Sequence, residues 1–131
     1  MDVSLIHREV WVIYEVDEIL ISFLESLEDN YRGMVDQVLP LLERIASQEQ
    51  GPRSLNKKIC HRIDDDYDIW QIRKGRIRLL WFYDEGKVIV CAHAFVKKTS
   101  KTPRRERDKA RRVKQAYFQA KQSGQLNIID E

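Results

Sequence analysis

Arg73, Arg76 and Arg78 crowd one short stretch of the chain, and Lys97 and Lys98 follow it ahead of Lys101, Arg104, Arg105 and Arg107. A guanidinium presents a planar fork suited to phosphate oxygens and stays charged at any working pH. Cations gathered this closely repel one another unless an anion compensates, so the set points to a phosphate-bearing ligand such as RNA. The catalysis it could support is charge stabilisation. Preorganised cations of this kind can meet the negative charge that develops on a reacting phosphate. A lysine acting as a base needs its pKa lowered, and neighbouring arginines push it that way. Arg76, Lys101, Arg104, Arg105 and Arg107 would bind the rest of a polyanion. The competing reading is an ionic network in which these cations pair with carboxylates of the N-terminal half.

The charge distribution sharpens both readings. A formal net charge of +2 over 131 residues hides eleven Asp/Glu against four Lys/Arg in residues 1–56, and ten against nineteen in residues 57–131. Ten basic residues fall between Lys97 and Lys114, opposed only by Glu106 and Asp108. A patch this positive attracts polyanions and speeds their encounter. Arg104, Arg105 and Arg107 also open a helix, at the end where the helix dipole disfavours cations.

These residues need elements to hold them. Residues 9–16 are β-branched and aromatic, a strand by composition. Asp17 is placed to cap a helix bearing Ile19, Leu20, Phe23, Leu24 and Leu27, and Asn30 to cap a second bearing Met34, Val35, Val38, Leu41, Leu42 and Ile45. Pro40 should kink the second, and Gly51-Pro52 should end it. Residues 53–67 are polar, and Asp64-Asp65-Asp66 reads as a solvated loop. Residues 68–96 read as a three-strand meander, with turns at Lys74-Gly75 and Asp84-Glu85-Gly86. Thr102 and Pro103 then start a helix that runs to about Gln122. Residues 123–131 read as a flexible tail.

The turns decide which side chains share a face. A two-residue turn at Lys74-Gly75 sets Arg73 opposite Arg76 and Gln71 opposite Arg78, all on one face. The next loop sets Arg78 beside Ala92 and Arg76 beside Ala94, an open floor beneath long cations. The other face carries Trp70, Ile72, Ile77, Leu79, Trp81, Ile89, Cys91, His93 and Phe95, a core for the helices to cover. His93 there reads as a buried structural histidine. Cys60 and Cys91 match no metal spacing and read as reduced, buried thiols.

Ile69-Trp70-Gln71-Ile72-Arg73, the Arg78 strand ending Trp-Phe-Tyr, and His93-Ala94-Phe95-Val96-Lys97-Lys98-Thr99-Ser100-Lys101-Thr102-Pro103 resemble the HigB-like, phage-associated branch of the RelE/ParE toxin superfamily. The likeness is good over about residues 65–115. It implies a metal-free, cofactor-free endoribonuclease acting on messenger RNA, often at the ribosome, and neutralised by a helix-turn-helix antitoxin. Arg78 matches the central-strand arginine at the scissile phosphate, Lys98 the basic residue after the last strand, and Arg73 the end of the preceding strand motif. The resemblance thus implies that Arg73 and Arg78 stabilise the developing charge while Lys97 and Lys98 handle protons or the leaving group. Gln71 falls where some relatives have a lysine.

The sequence thus predicts one α+β toxin domain over residues 1–131. Its small antiparallel twisted sheet is the N-terminal strand plus the meander, with a helical hairpin on one face and a C-terminal helix. The expected role is that of a cytoplasmic toxin cleaving RNA by 2′-hydroxyl attack, with no membrane partner. The rival roles are a non-enzymatic toxin that binds a protein such as DNA gyrase, and an RNA-binding module without catalysis.

Overall fold

The computed structural model describes residues 1–27, 31–98, 100 and 102–130, without the side chains of Arg32 and Val35. The expected Asn30 cap, and Thr99 and Lys101 of the basic segment, lie outside these residues. In chain order the elements are β1 (Asp2–Arg8), β2 (Val12–Val16), α1 (Ile19–Ser26), α2 (Arg32–Ser47), β3 (Cys60–Asp64), β4 (Ile69–Lys74), β5 (Ile77–Asp84), β6 (Val88–Val96), α3 (Arg104–Gln122) and β7 (Asn127–Ile129).

The small antiparallel sheet expected from the sequence is overturned. Among the described residues seven strands form one mixed sheet, ordered β3-β4-β5-β6-β2-β1-β7. The expected first strand is the second arm of an antiparallel β1–β2 hairpin, and β2 lies parallel to β6, not antiparallel. β3 adds an edge strand against β4, and β7, drawn from the expected tail, pairs parallel with β1. β1 and β3 were missed because their alternation is broken by exposed polar residues such as Arg8, His61 and Arg62.

Both faces of the sheet are covered, which explains the unbroken apolar run over residues 79–83 within β5. Leu20 and Leu24 of α1 and Val38, Leu42, Ile45 and Ala46 of α2 pack on Ile72, Ile77, Leu79 and Trp81. Ala110 and Tyr117 of α3 pack on the other face, against Leu80, Phe82, Val90 and Phe95. The cap of α1 differs from expectation: Asp17 and Glu18 take left-handed backbone angles, and the buried Glu15 carboxylate accepts from the Leu20 and Ile21 amides at 3.0 and 3.1 Å.

Two strand-end carboxylates tie α3 down. Asp64, at the end of β3, accepts from the Arg111 guanidinium and from the backbone amides of Asp66 and Tyr67. The triad read as a solvated loop therefore begins with a buried anchor. Asp84, at the end of β5, accepts from Tyr117 Oη at 2.6 Å and Lys121 Nζ at 2.8 Å. Burial raises the affinity of each carboxylate for a proton, but these donors outweigh it and hold both below the ordinary aspartate range.

A carboxylate whose folded pKa is depressed stabilises the fold above its unfolded pKa, and that contribution fades as pH falls through the folded value. Asp64→Asn and Asp84→Asn are each expected to cost about 2 kcal/mol at neutral pH. Each should also flatten the loss of stability between about pH 4 and pH 2. Thermal unfolding followed against pH checks both, and an unchanged acid limb in the double variant would show that these anchors carry no linkage.

Candidate nucleic-acid interface

The site grows from the β4–β5 hairpin. Its turn is Gly75-Arg76 rather than Lys74-Gly75, so Lys74 pairs with Ile77, Arg73 with Arg78 and Gln71 with Leu80. The reason is local. Gly75 adopts a left-handed φ of +58°, and a Cβ there would sit 2.1 Å from Met34 Sδ of α2. The same sulfur accepts from the Arg76 amide at 3.3 Å. Helix α2 thus grips the turn, and Arg76 sits exposed within it, outside the ladder.

Arg73 and Arg78 are direct cross-strand neighbours on one face, a juxtaposition that costs stability. Arg78 is only 5% exposed. Its Nη1 donates to the carbonyls of Gly75 at 2.7 Å and Ile77 at 3.1 Å, while its buried Nε has no partner among the described residues. Burial first, and Arg73 second, disfavour its charge. Partial burial, then Arg78 and Arg73, likewise hold the Lys97 ammonium below the ordinary lysine range. The Lys97 amide donates to Arg76 O at 2.7 Å, fixing where the chain leaves β6.

These side chains line an open cleft of about 410 Å³. Arg73, Arg78 and Lys97 meet there with Lys58, Arg62 and Arg107, and among the described residues no carboxylate lines it. Gln71 forms part of the wall, accepting from Thr102 Oγ1 at 2.9 Å, and so ties the segment before α3 to the sheet. His61, paired with Gln71 across β3 and β4, also lines the cleft. Lys58, His61 and Arg62 were missed because residues 53–67 read only as polar. The available signal was Ile59-Cys60-His61-Arg62-Ile63 beside Lys57-Lys58, a short strand with cations at its start.

The remaining expected residues fall elsewhere. The β5–β6 loop is Glu85-Gly86-Lys87 rather than Asp84-Glu85-Gly86, and with a bulge between Leu80 and Trp81 this gives Phe95, not Ala92, as the neighbour of Arg78. The bulge sends Ala94 to the α1–α2 face, so the alanine floor does not form. The same bulge turns His93 and Phe95 toward α3. His93 Nε2 lies 2.8 Å from Glu106 Oε2, a helix contact rather than a place in the opposite core. Lys98 lines a separate cleft with His93, Phe95 and Arg105. Arg104 and Arg105 are exposed, 4.0 Å from Asp108 and 3.7 Å from Glu106. Among the described residues the carboxylate partners of the α3 cations lie within α3 and at Asp64 and Asp84, not in α1 or α2. Cys60 and Cys91 are free and buried, and burial pushes the Cys60 thiol up to about 11.

A family model described as Phage derived protein Gp49-like (DUF891) matches residues 22–115, which include every cleft residue named above. That family falls within the RelE/ParE-like toxin fold clan. No curated protein matches the chain. Among the described residues no helix is long and apolar enough to cross a membrane.

If the cleft concentrates like charge, removing one cation should relieve it. Arg73→Gln, at an exposed position, is expected to raise stability by about 0.5 kcal/mol at low salt, with the gain shrinking as salt rises. Chemical denaturation at two ionic strengths checks this. A loss of stability would mean that Arg73 is compensated within the fold and the cleft is not electrostatically poised.

Proposed function

Because the chain belongs to the Gp49-like phage-derived protein family, we propose that it is the toxin of a toxin–antitoxin pair and an endoribonuclease of the HigB-like kind. The observation that carries the reading is a cleft lined, among the described residues, by six cations and no carboxylate, built around a buried arginine whose direction is fixed by two main-chain carbonyls. A phosphodiester is the anion that fits it. Guanidinium forks bind phosphate oxygens in pairs, and a preorganised donor stabilises a transition state without reorganisation at the moment of reaction.

In the proposed reaction the ribose 2′-oxygen attacks the adjacent phosphorus. A new P–O2′ bond forms as the P–O5′ bond breaks, leaving a 2′,3′-cyclic phosphate and a 5′-hydroxyl. Arg78 and Arg73 hold the non-bridging oxygens as their charge grows. Lys97 takes the 2′-hydroxyl proton, a role its depressed ammonium pKa serves. His61, which lines the same cleft, returns a proton to the departing 5′-oxygen. No metal or cofactor enters the scheme. Arg62, Lys58 and Arg107 steer the strand, with Arg76 exposed in the β4–β5 turn. The protein would act in the cytoplasm on messenger RNA, at the ribosome or free. A helix-turn-helix antitoxin would restrain it.

Purified protein incubated with messenger RNA in a chelator, with and without ribosomes, is expected to yield fragments ending in 2′,3′-cyclic phosphate. Arg78→Ala should abolish both this cleavage and growth arrest while remaining folded. Lys97→Arg keeps the charge but removes the titration, so it should cut the rate by about a hundredfold or more and erase its rise with pH. Growth arrest that survives in a folded Arg78→Ala protein would turn the reading toward a toxin that binds a protein target.

A further inference from the structure

A second concavity, of about 650 Å³, adjoins the cationic cleft. It lies between α2, the loop that leads into β3, and the β4–β5 turn. Two residues, Lys58 and Arg73, line both spaces, so they form the ridge between them. On the far side of that ridge the lining changes character. Leu41, Leu55 and Ile59 give it an apolar floor, and Arg44 and Lys74 give it a basic rim. As in the cleft, no carboxylate lines it among the described residues.

We propose that this groove is a nucleobase subsite. It receives the base next to the phosphate held in the cationic cleft, so the ligand is single-stranded RNA read over at least two nucleotides. The inference rests on the reading of the cleft as an RNA phosphate site. Continuity is the first argument: a strand whose phosphate sits at the Lys58–Arg73 ridge must place one neighbouring nucleotide on the groove side. Chemistry is the second. A nucleobase offers an apolar face and a polar edge on an anionic backbone, and the groove supplies an aliphatic floor within a cationic rim. Only an unpaired base can lie on such a floor, because a paired one keeps its faces stacked in the duplex.

Preorganisation is the third argument. The wall is built before any ligand arrives. Asn56 Oδ1 accepts from the Lys58 amide at 2.7 Å, and Asn56 O accepts from the amides of Ile59 at 2.9 Å and Cys60 at 3.0 Å. The Arg73 amide donates to Ile59 O at 2.8 Å, joining this wall to the ridge. Ile59 nevertheless stays 36% exposed, an apolar side chain held open to solvent. The Asn56 side-chain oxygen is spent on the loop, which leaves its Nδ2 to donate to a base edge.

The test uses the full chain and three probes: adenosine 3′-monophosphate, a 2′-O-methylated tetraadenylate that cannot be cleaved, and the same tetramer with a single abasic residue at each position in turn. The tetramer is expected to bind at least about tenfold more tightly than the mononucleotide. One abasic position should remove most of that gain, since it deletes a base and keeps every phosphate. Ile59→Ser and Arg44→Gln, both at exposed positions, should remove the same gain and leave mononucleotide binding unchanged. Equal binding of every abasic tetramer by the wild type would overturn the subsite while the cleft stands as a phosphate site. A tetramer duplexed with its complement that competes as well as the single strand would overturn it too. Failure of both the mononucleotide and the tetramer to bind would remove the cleft reading, and the subsite with it.

Discussion

The antiparallel register of β3, β4 and β5 separates charge along the sheet, and the site depends on that separation. Asp64 pairs with Ile69, and Trp70 with Trp81, so the ends of β3 and β5 lie together at one edge of the sheet. Both buried aspartates sit there, and both are spent on α3. The start of β3, the end of β4 and the start of β5 lie at the opposite edge, where Lys58, Arg73 and Arg78 gather. Acids that could have neutralised the cleft are thus held a strand's length away. They bind the most basic helix of the chain by its later turns and leave Arg107, nearer its start, to the cleft.

Much of the site's facial logic was legible because strand parity is robust. Moving a two-residue turn one position along the chain shifts each partner by two, and two is the period of side-chain alternation. Setting the turn at Lys74-Gly75 instead of Gly75-Arg76 therefore misassigned every pair between β4 and β5 yet kept Arg73, Arg78 and Gln71 on one face. What fixes the true turn is Met34, forty-two residues away, pressed against Gly75 and bonded to the Arg76 amide. No local pattern carries that contact.

Parity fails where a bulge inserts a residue, and there the sequence misleads. Across β5 and β6 the pairing slips between Leu80 and Trp81, so Arg78 meets Phe95 and Ala94 leaves for the other face. Lys98 lines another cleft, although Lys97 beside it enters the cationic one. β3 failed for a different reason. As an edge strand it buries Cys60 and Asp64 and exposes His61 and Arg62, a pattern that hydrophobic alternation cannot find. Three of the cleft's lining residues, Lys58, His61 and Arg62, entered with that segment.

The cleft is a place where the fold holds a local conflict in place of stability. Arg78 is desolvated, faces another arginine and leaves Nε unbonded, each unfavourable alone. The surrounding structure enforces the arrangement. Met34 holds the turn, Gly75 O and Ile77 O hold the guanidinium, and Thr102 on Gln71 holds the strap that carries Lys97 toward α3. A flexible cationic surface would bind phosphate by letting its side chains move to the ligand, losing side-chain entropy each time. Here that cost is met on folding, since the central guanidinium is fixed before an anion enters. Peripheral cations such as Arg76 and Arg44 remain exposed and free to adapt. The arrangement suits a site that holds one anion rigidly and its surroundings loosely, which is the division of labour that the proposed attack at a single phosphate would require.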